Sequence, residues 1–414
     1  MSSPAPVLEP ISAPERVQVI DVLRGMALFG ILAANMRGFN SPAQVYFATE
    51  RMWPGTADRI AQGFIDLLIS GKFVTLFSFL FGLGFAVQMG RAEIRGAEFA
   101  PVYCRRLFVL LLIGLAHGFF LWWGDILSPY ALIGFLLLLF RRRSQKTVVT
   151  WTMIGLWFPT FLGVVFLTLS ALGVRTPAPP TPSKDVIDQA VRVYSQGSFA
   201  QIMVRRAKDL QFAYSGAPFY FTVILGMFLL GFYVWRRGLF QNIPDHLPLI
   251  RRALWWGLGL GLAGNAAAVS VTQIWHPDPM KPSALGLVRG IVSTIGVPAL
   301  SCFYASAVIL LFQNPAWQKR LAPFGAVGRT ALSNYLLQSL ICTAIFYSFG
   351  LGLFGKVGPA VGLIPTVVIY AAQVPLSVWW LQHFQFGPME WLWRSLTYRR
   401  AQPMRPEPMI TVGA

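Results

Sequence analysis

Charge is scarce in this chain. Only 12% of its 414 residues are Asp, Glu, Lys or Arg, about half the share of an ordinary soluble domain. That deficit excludes a soluble fold, because too little polar surface exists to solvate one. Acidic residues are the scarcest, 16 against 34 Lys and Arg, for a net charge of +18. Such an excess could serve nucleic acid, but no polar basic domain is present to hold it, and nucleic acid is not an expected partner. Cysteine is also rare. Cys104, Cys302 and Cys342 stand alone on or beside apolar runs, which excludes a disulfide framework or a cysteine metal site. No P-loop, dinucleotide fingerprint, Ser-His-Asp order or metal-ligand spacing occurs, so no metal is expected. The opening MSSPAPVLEPISAPERVQ lacks the charged start, short apolar core and small-residue cleavage site of a signal peptide. An uncleaved first span that also targets the chain is the expectation.

Long apolar runs are what the sequence has instead. The stretch Arg105 to Arg143, RRLFVLLLIGLAHGFFLWWGDILSPYALIGFLLLLFRRR, joins two of them at Gly124-Asp125 and closes both outer ends with arginines. With almost no polar face it reads as a transmembrane hairpin, and helices are the form that satisfies the backbone in lipid. In chain order the spans are Gln18–Phe39, then Ile60–Met89 broken at Gly71-Lys72, with Ile60–Ser70 at the interface and Phe73–Met89 crossing. The hairpin supplies spans 3 and 4, and Val148–Leu172 is span 5. Asp185–Phe212 is the one sizeable polar segment, and its helical spacing of apolar residues predicts two amphipathic helices on the membrane surface. Spans 6 to 10 follow at Phe219–Trp235, Ala253–Ile274, Leu287–Phe312, Ala331–Phe354 and Leu363–Trp380. The tail FGPMEWLWRSLTYRR suits an interfacial helix.

The fold class is therefore all-α, a polytopic membrane protein of about ten helices. Basic residues at alternate span ends place both termini in the cytoplasm. Three regions are expected: a bundle at 1–147, span 5 with the extracytoplasmic segment at 148–213, and a second bundle with the tail at 214–414.

Ionisable residues inside such spans are expensive and mark function by default. His117 lies about two turns before the far end of span 3. One reading makes it a general base or covalent acceptor, the other a histidine hydrogen-bonded between helices for packing. Asp125 is ~12 Å further along a continuous helix, so contact with His117 needs the Gly124 turn to fold the carboxylate back. It either orients an acceptor or caps span 4. Asp21 and Arg24 can pair on one helix face, and Arg24 with Arg105 and Arg106 suits an anionic ligand from the cytoplasm. Asn35 lies at the depth of His117. Asn334 and Gln338 are one turn apart, and such amides tie helices together.

The segments RVQVIDVLRGMALFGILAANMRGF, FSFLFGLGF, GLAHGFFLWWGDILSPYALIG and GRTALSNYLLQS…FGPMEWLWR resemble the YeiB-like inner-membrane proteins, which contain the domain of unknown function numbered 418. The resemblance implies a multi-pass protein of the bacterial inner membrane. Its N-terminal half is similar to the transmembrane acyltransferase superfamily, which includes heparan-α-glucosaminide N-acetyltransferase and moves acyl groups from acyl-CoA across the membrane. That superfamily's Asp, Arg-Gly and later Asn fall on Asp21, Arg24, Gly25 and Asn35. Its acetyltransferase also has a histidine after span 1, whereas this sequence has none between Gly38 and Arg59. His117 is the candidate substitute.

A membrane acyltransferase is the leading expectation. Arg24, Arg105 and Arg106 would receive acyl-CoA as co-substrate, with no bound cofactor. His117, Asp125 and Asn35 would handle a glycan or lipid-linked acceptor. The alternatives are a transporter of a small solute or protons, and a non-catalytic envelope protein.

Overall fold

The computed structural model describes residues 17–47, 51–174, 182–278 and 281–405, and among them every regular element is helical. Eight helices or broken helices are long and apolar enough to cross a membrane. The first is α1 (Gln18–Asn40). The second is a broken run of α2 (Thr56–Leu68) and α3 (Lys72–Ile94). Gly71 makes the break at φ +82°, where a side chain would be strained.

Next comes the hairpin. α4 (Phe99–Ala116) continues through a π-helical turn, His117–Leu121, and α5 (Leu127–Phe140) returns. The long α6 (Gln145–Ala171) leads to the polar helices α7 (Lys184–Gln196) and α8 (Phe199–Ser215). The remaining helices are α9 (Ala217–Arg236), α10 (Leu247–Ser270), α11 (Ala284–Leu311), α12 (Pro315–Arg329), α13 (Ala331–Phe346), α14 (Pro359–His383) and α15 (Pro388–Tyr398).

Two expected spans are shorter than a full crossing. α5 has 14 residues and α13 has 16, or ~21 and ~24 Å. The chain after α13 folds back on it, Leu351 N donating to Ala344 O and Phe354 N to Phe346 O, so the apolar run to Phe354 is not one helix. α12 occupies the stretch between expected spans 8 and 9. It lies along α1, where a Cβ on Gly25 or Gly328 would strike the backbone of the other helix.

α1 is the axis of the molecule. Val19, Leu23, Ala27, Leu28, Ile31 and Phe39 are all buried, as expected of a helix that is apolar all round. The rim is lipid-like. Trp255 and Trp256 on α10, Phe161 on α6 and Ile364 on α14 are each exposed by more than 60%, a surface water would not tolerate on this scale.

The bundle has two distinct ends. Arg24, Arg106 and α15 mark the arginine end. Asn40, the π turn and the residues after α13 mark the turn end. The expected surface helices α7 and α8 form, but as a cap on the turn end rather than a float on lipid. Tyr194 and Ile202 are fully buried and join the core of α1 and α13, while Ser348 N donates to Tyr194 O at 2.8 Å. Ala190, Tyr194 and Ile202 therefore meet protein, while Val186, Phe199 and Val204 stay exposed.

Candidate functional site

The π turn is where the chain commits polar groups to the interior. A π turn widens the helix by one residue, and this one ends with Trp122 N bonded back to His117 O. Trp122 then docks on α1, its ring nitrogen donating to Gly38 O at 3.0 Å. The chain reverses at Trp123–Ile126, and Asp125 comes back under the helix. Its Oδ1 accepts from Leu127 N at 3.1 Å and its Oδ2 from Ser128 N at 2.8 Å, so it does cap α5. The same Oδ1 lies 3.0 Å from His117 Nδ1. One carboxylate thus caps α5 and contacts the imidazole.

On the other side of the ring, His117 Nε2 is 2.8 Å from Ser339 Oγ on α13. An ionised Asp125 can only accept, which puts the proton on Nδ1 and leaves Nε2 to accept from Ser339 Oγ, whose other acceptor is the more distant Tyr335 O at 3.3 Å. The result is a buried string, Asp125, His117, Ser339, in the order orienter, base, hydroxyl. His117 is 2% exposed and Ser339 0%, so the string is sealed from bulk water. Tyr335 lies against the imidazole, ring centres 5.0 Å apart.

Asn35 is not brought to this centre: it is half-buried on α1 and forms no hydrogen bond among the described residues. Ser339 was missed by sequence reading. It sits within the quoted NYLLQS run, but no local signal ties it to a histidine 222 residues earlier. Asn334 and Gln338 act as helix ties: Asn334 Nδ2 donates to Ser377 Oγ at 2.9 Å and Gln338 Nε2 to Gln373 Oε1 at 2.8 Å, both on α14.

At the arginine end lies a cavity of about 140 Å³ lined by Arg24, Arg91, Arg106 and Arg394 among others, with Asp21 the one acidic residue among the described residues that line it. Arg24 Nη1 reaches Asp21 Oδ1 at 3.2 Å, the expected pair. Arg106 stacks 3.8 Å over the Trp393 ring of α15, which orients its guanidinium. Arg105 is turned elsewhere, its Nε donating to Thr397 O at 3.1 Å, and it does not line the cavity. Arg91 and Arg394 replace it there, contributed by the end of α3 and by α15. His117 is not part of this cavity. Arg106 and His117 are 11 positions apart on α4 and its π turn, or ~16 Å along the axis. Among the described residues no cluster of His, Cys, Asp or Glu could hold a metal ion.

Comparison with known proteins places this architecture among bacterial chains. Residues 234–400 match the family described as protein of unknown function (DUF418). The chain is 37% identical to the uncharacterized protein YxaH of Bacillus subtilis, over 96% of this chain and 98% of that one. It is 30% identical to the uncharacterized protein YeiB of Escherichia coli, over 94% and 98% of the two chains. An uncharacterized 39.9 kDa protein encoded in the amylase 3′ region of Bacillus acidopullulyticus matches at 28% identity, over 96% and 98%.

Proposed function

The chain belongs to the YeiB-like DUF418 family, and from its geometry we propose that it is a membrane acyltransferase. The observation that carries this reading is the Asp125–His117–Ser339 string, with contacts of 3.0 and 2.8 Å. A hydroxyl, a base and a group orienting that base are the parts acyl transfer needs. His117 Nε2 takes the proton of Ser339 Oγ as that oxygen attacks the thioester carbonyl of an acyl-CoA-like donor. The C–S bond breaks, His117 returns the proton to the departing thiolate, and the acyl group rests on Ser339 as an ester. An acceptor hydroxyl, on a glycan or a lipid-linked group, then attacks that ester as His117 takes its proton; the bond from the acyl carbon to Ser339 Oγ breaks, and His117 returns the proton to Oγ. Asp125 fixes the ring and stabilises the imidazolium in both steps.

The arginine cavity supports the donor half. Arg24 and Arg106, with Arg91 and Arg394 beside them, offer forked donors to phosphate groups. An extended pantetheine arm is long enough for the ~16 Å from Arg106 to His117. In this reading the arginine end faces the cytoplasm and the α7–α8 cap faces outward, in accord with basic residues favouring the inner side. The chain then lies in a bacterial inner membrane, and its apolar helices and bacterial relatives are in keeping with that. His117 is sealed in this state, so turnover includes an opening of the turn end.

The test is to purify the protein, supply labelled acetyl-CoA, and follow thiol release and covalent labelling. Wild type should release thiol and retain label on a serine. Ser339→Ala should lose the label, and His117→Ala should lose both by about 10²-fold or more. Wild-type thiol release that is unchanged in both variants would remove the mechanism.

A further inference from the structure

Buried cations are costly unless an anion or well-placed acceptors meet them. Most ionisable groups in the α7–α8 cap obey that rule. Asp209, fully buried, accepts from Gln44 Nε2 at 2.9 Å and Tyr194 Oη at 2.7 Å, and pairs with Arg205 Nη2 at 3.0 Å. Arg205 also donates to Gln44 Oε1 at 2.7 Å. These contacts engage the one acidic group of the cluster among the described residues.

Arg206, the next residue, is the exception. Its side chain is 0% exposed. Nη1 donates to Phe119 O at 3.0 Å, while Nε and Nη2 have no hydrogen-bond partner. Among the described residues Arg206 has no ion pair. The two unmet nitrogens are not scattered. They form one edge of the guanidinium, the fork that holds a carboxylate or phosphate by two parallel hydrogen bonds. Tyr347 Oη, also buried, has no partner at full hydrogen-bond geometry and faces the Arg206 guanidinium, which lies 5.4 Å from the Tyr347 ring centre.

The position is as telling as the chemistry. Phe119, which Arg206 holds, lies two residues beyond His117 in the same π turn. Tyr347 is two helical turns beyond Ser339 on the strand of chain that leaves α13.

We propose that the Arg206 fork, with Tyr347 Oη, binds an oxyanion, a carboxylate or phosphate group, entering between the α7–α8 cap and the π turn. Where acyl transfer is the activity, that oxyanion belongs to the acceptor, and it sets the acceptor's hydroxyl beside His117. The acceptor role rests on the proposed function, whereas the oxyanion site does not. An anionic glycan or a phosphate-linked lipid has the required group, and a neutral sugar does not.

The experiment uses the full-length protein in nanodiscs of neutral lipid, with inorganic phosphate and acetate as probes and chloride at matched ionic strength as control. Either probe should bind saturably, read by calorimetry and by a rise in melting temperature. Arg206→Gln should weaken that binding about tenfold or more. Arg206→Lys, which keeps the charge but loses the fork, should fall between and stands in if the glutamine variant does not fold. Arg192→Gln, an exposed arginine on α7, should bind as wild type does. Absence of saturable binding to wild type, or equal affinity in Arg206→Lys, would overturn the site. Preference for phosphate over acetate identifies a phosphate-bearing group, and the reverse a carboxylate. If binding follows Arg206 but no acyl transfer is found in wild type, the oxyanion site stands and the acyltransferase falls.

Discussion

Asp125 carries two roles in one side chain, and they can be separated. Asp125→Asn keeps one acceptor oxygen, which on Ser128 N preserves one of the two α5 cap bonds and turns the amide nitrogen toward Leu127 N and His117 Nδ1. It no longer demands the proton on His117 Nδ1, and the base is left in the wrong tautomer or orientation. Acyl transfer by Asp125→Asn should drop by roughly 10²–10⁴-fold while its melting temperature stays within a few degrees of wild type. Unchanged transfer would reduce Asp125 to a cap.

Glu390 offers a second test at this scale. Its Oε1 accepts from Leu332 N at 2.6 Å and Ser333 N at 3.2 Å, tying α15 to the start of α13. Burial pushes its carboxyl above the ordinary 4.5, with the Ser333 and backbone hydrogen bonds acting against the rise. A carboxyl raised in the folded state holds its proton longer there than in the unfolded chain. Its contribution to stability is fully present below about 4.5 and is lost as pH climbs through the raised value. Thermal denaturation of wild type should show that slope above pH 4.5, and Glu390→Gln, which retains the acceptor oxygen, should flatten it.

Between elements, closeness of backbones decides what a substitution costs. α12 lies on α1 so tightly that a Cβ on Gly328 would collide with the carbonyl of Asp21. Gly259 on α10 has open space around it. Gly328→Ala should therefore destabilise the protein by about 1–3 kcal/mol through overpacking, whereas Gly259→Ala should be neutral or stabilising by about 0.5–1 kcal/mol. Detergent-solubilised melting curves of the two variants make the comparison, and equal effects would mean that α12 is not seated on α1. The consequence reaches function, because α1 and α12 together hold Asp21 and Arg24 at the mouth of the arginine cavity.

For the molecule as a whole, the distribution of charge sets a direction. Arg236 Nη1 donates to Arg143 O at 2.8 Å, which brings the basic ends of α5 and α9 to one side. With the arginine end in the cytoplasm, a reporter that needs an oxidising compartment should be inactive when fused after Arg405. The same reporter inserted at Gly197, between α7 and α8, should be active. The opposite pattern would invert the topology and place the donor cavity outside.

Much of this architecture is legible along the chain. The break at Gly71-Lys72, the hairpin turning at Gly124-Asp125, the Asp21–Arg24 pair and the tail helix all follow from short-range signals: apolar run length, terminal arginines, a glycine, an i,i+3 spacing. Membrane class and the approximate places of the long helices were thus determined by the sequence alone, because hydrocarbon thickness imposes a minimum run length and each run satisfies its own backbone. Rotation about each helix axis was left open. Lipid and protein core are equally apolar, so a helix that is hydrophobic all round does not say which face meets which. Only tertiary packing put Ser339 against His117, drew Arg91 and Arg394 into the cavity in place of Arg105, and left the Arg206 fork unmet beneath the cap. The physical reason is that hydropathy fixes depth in a bilayer, while side-chain interlocking fixes azimuth, and a site needs both.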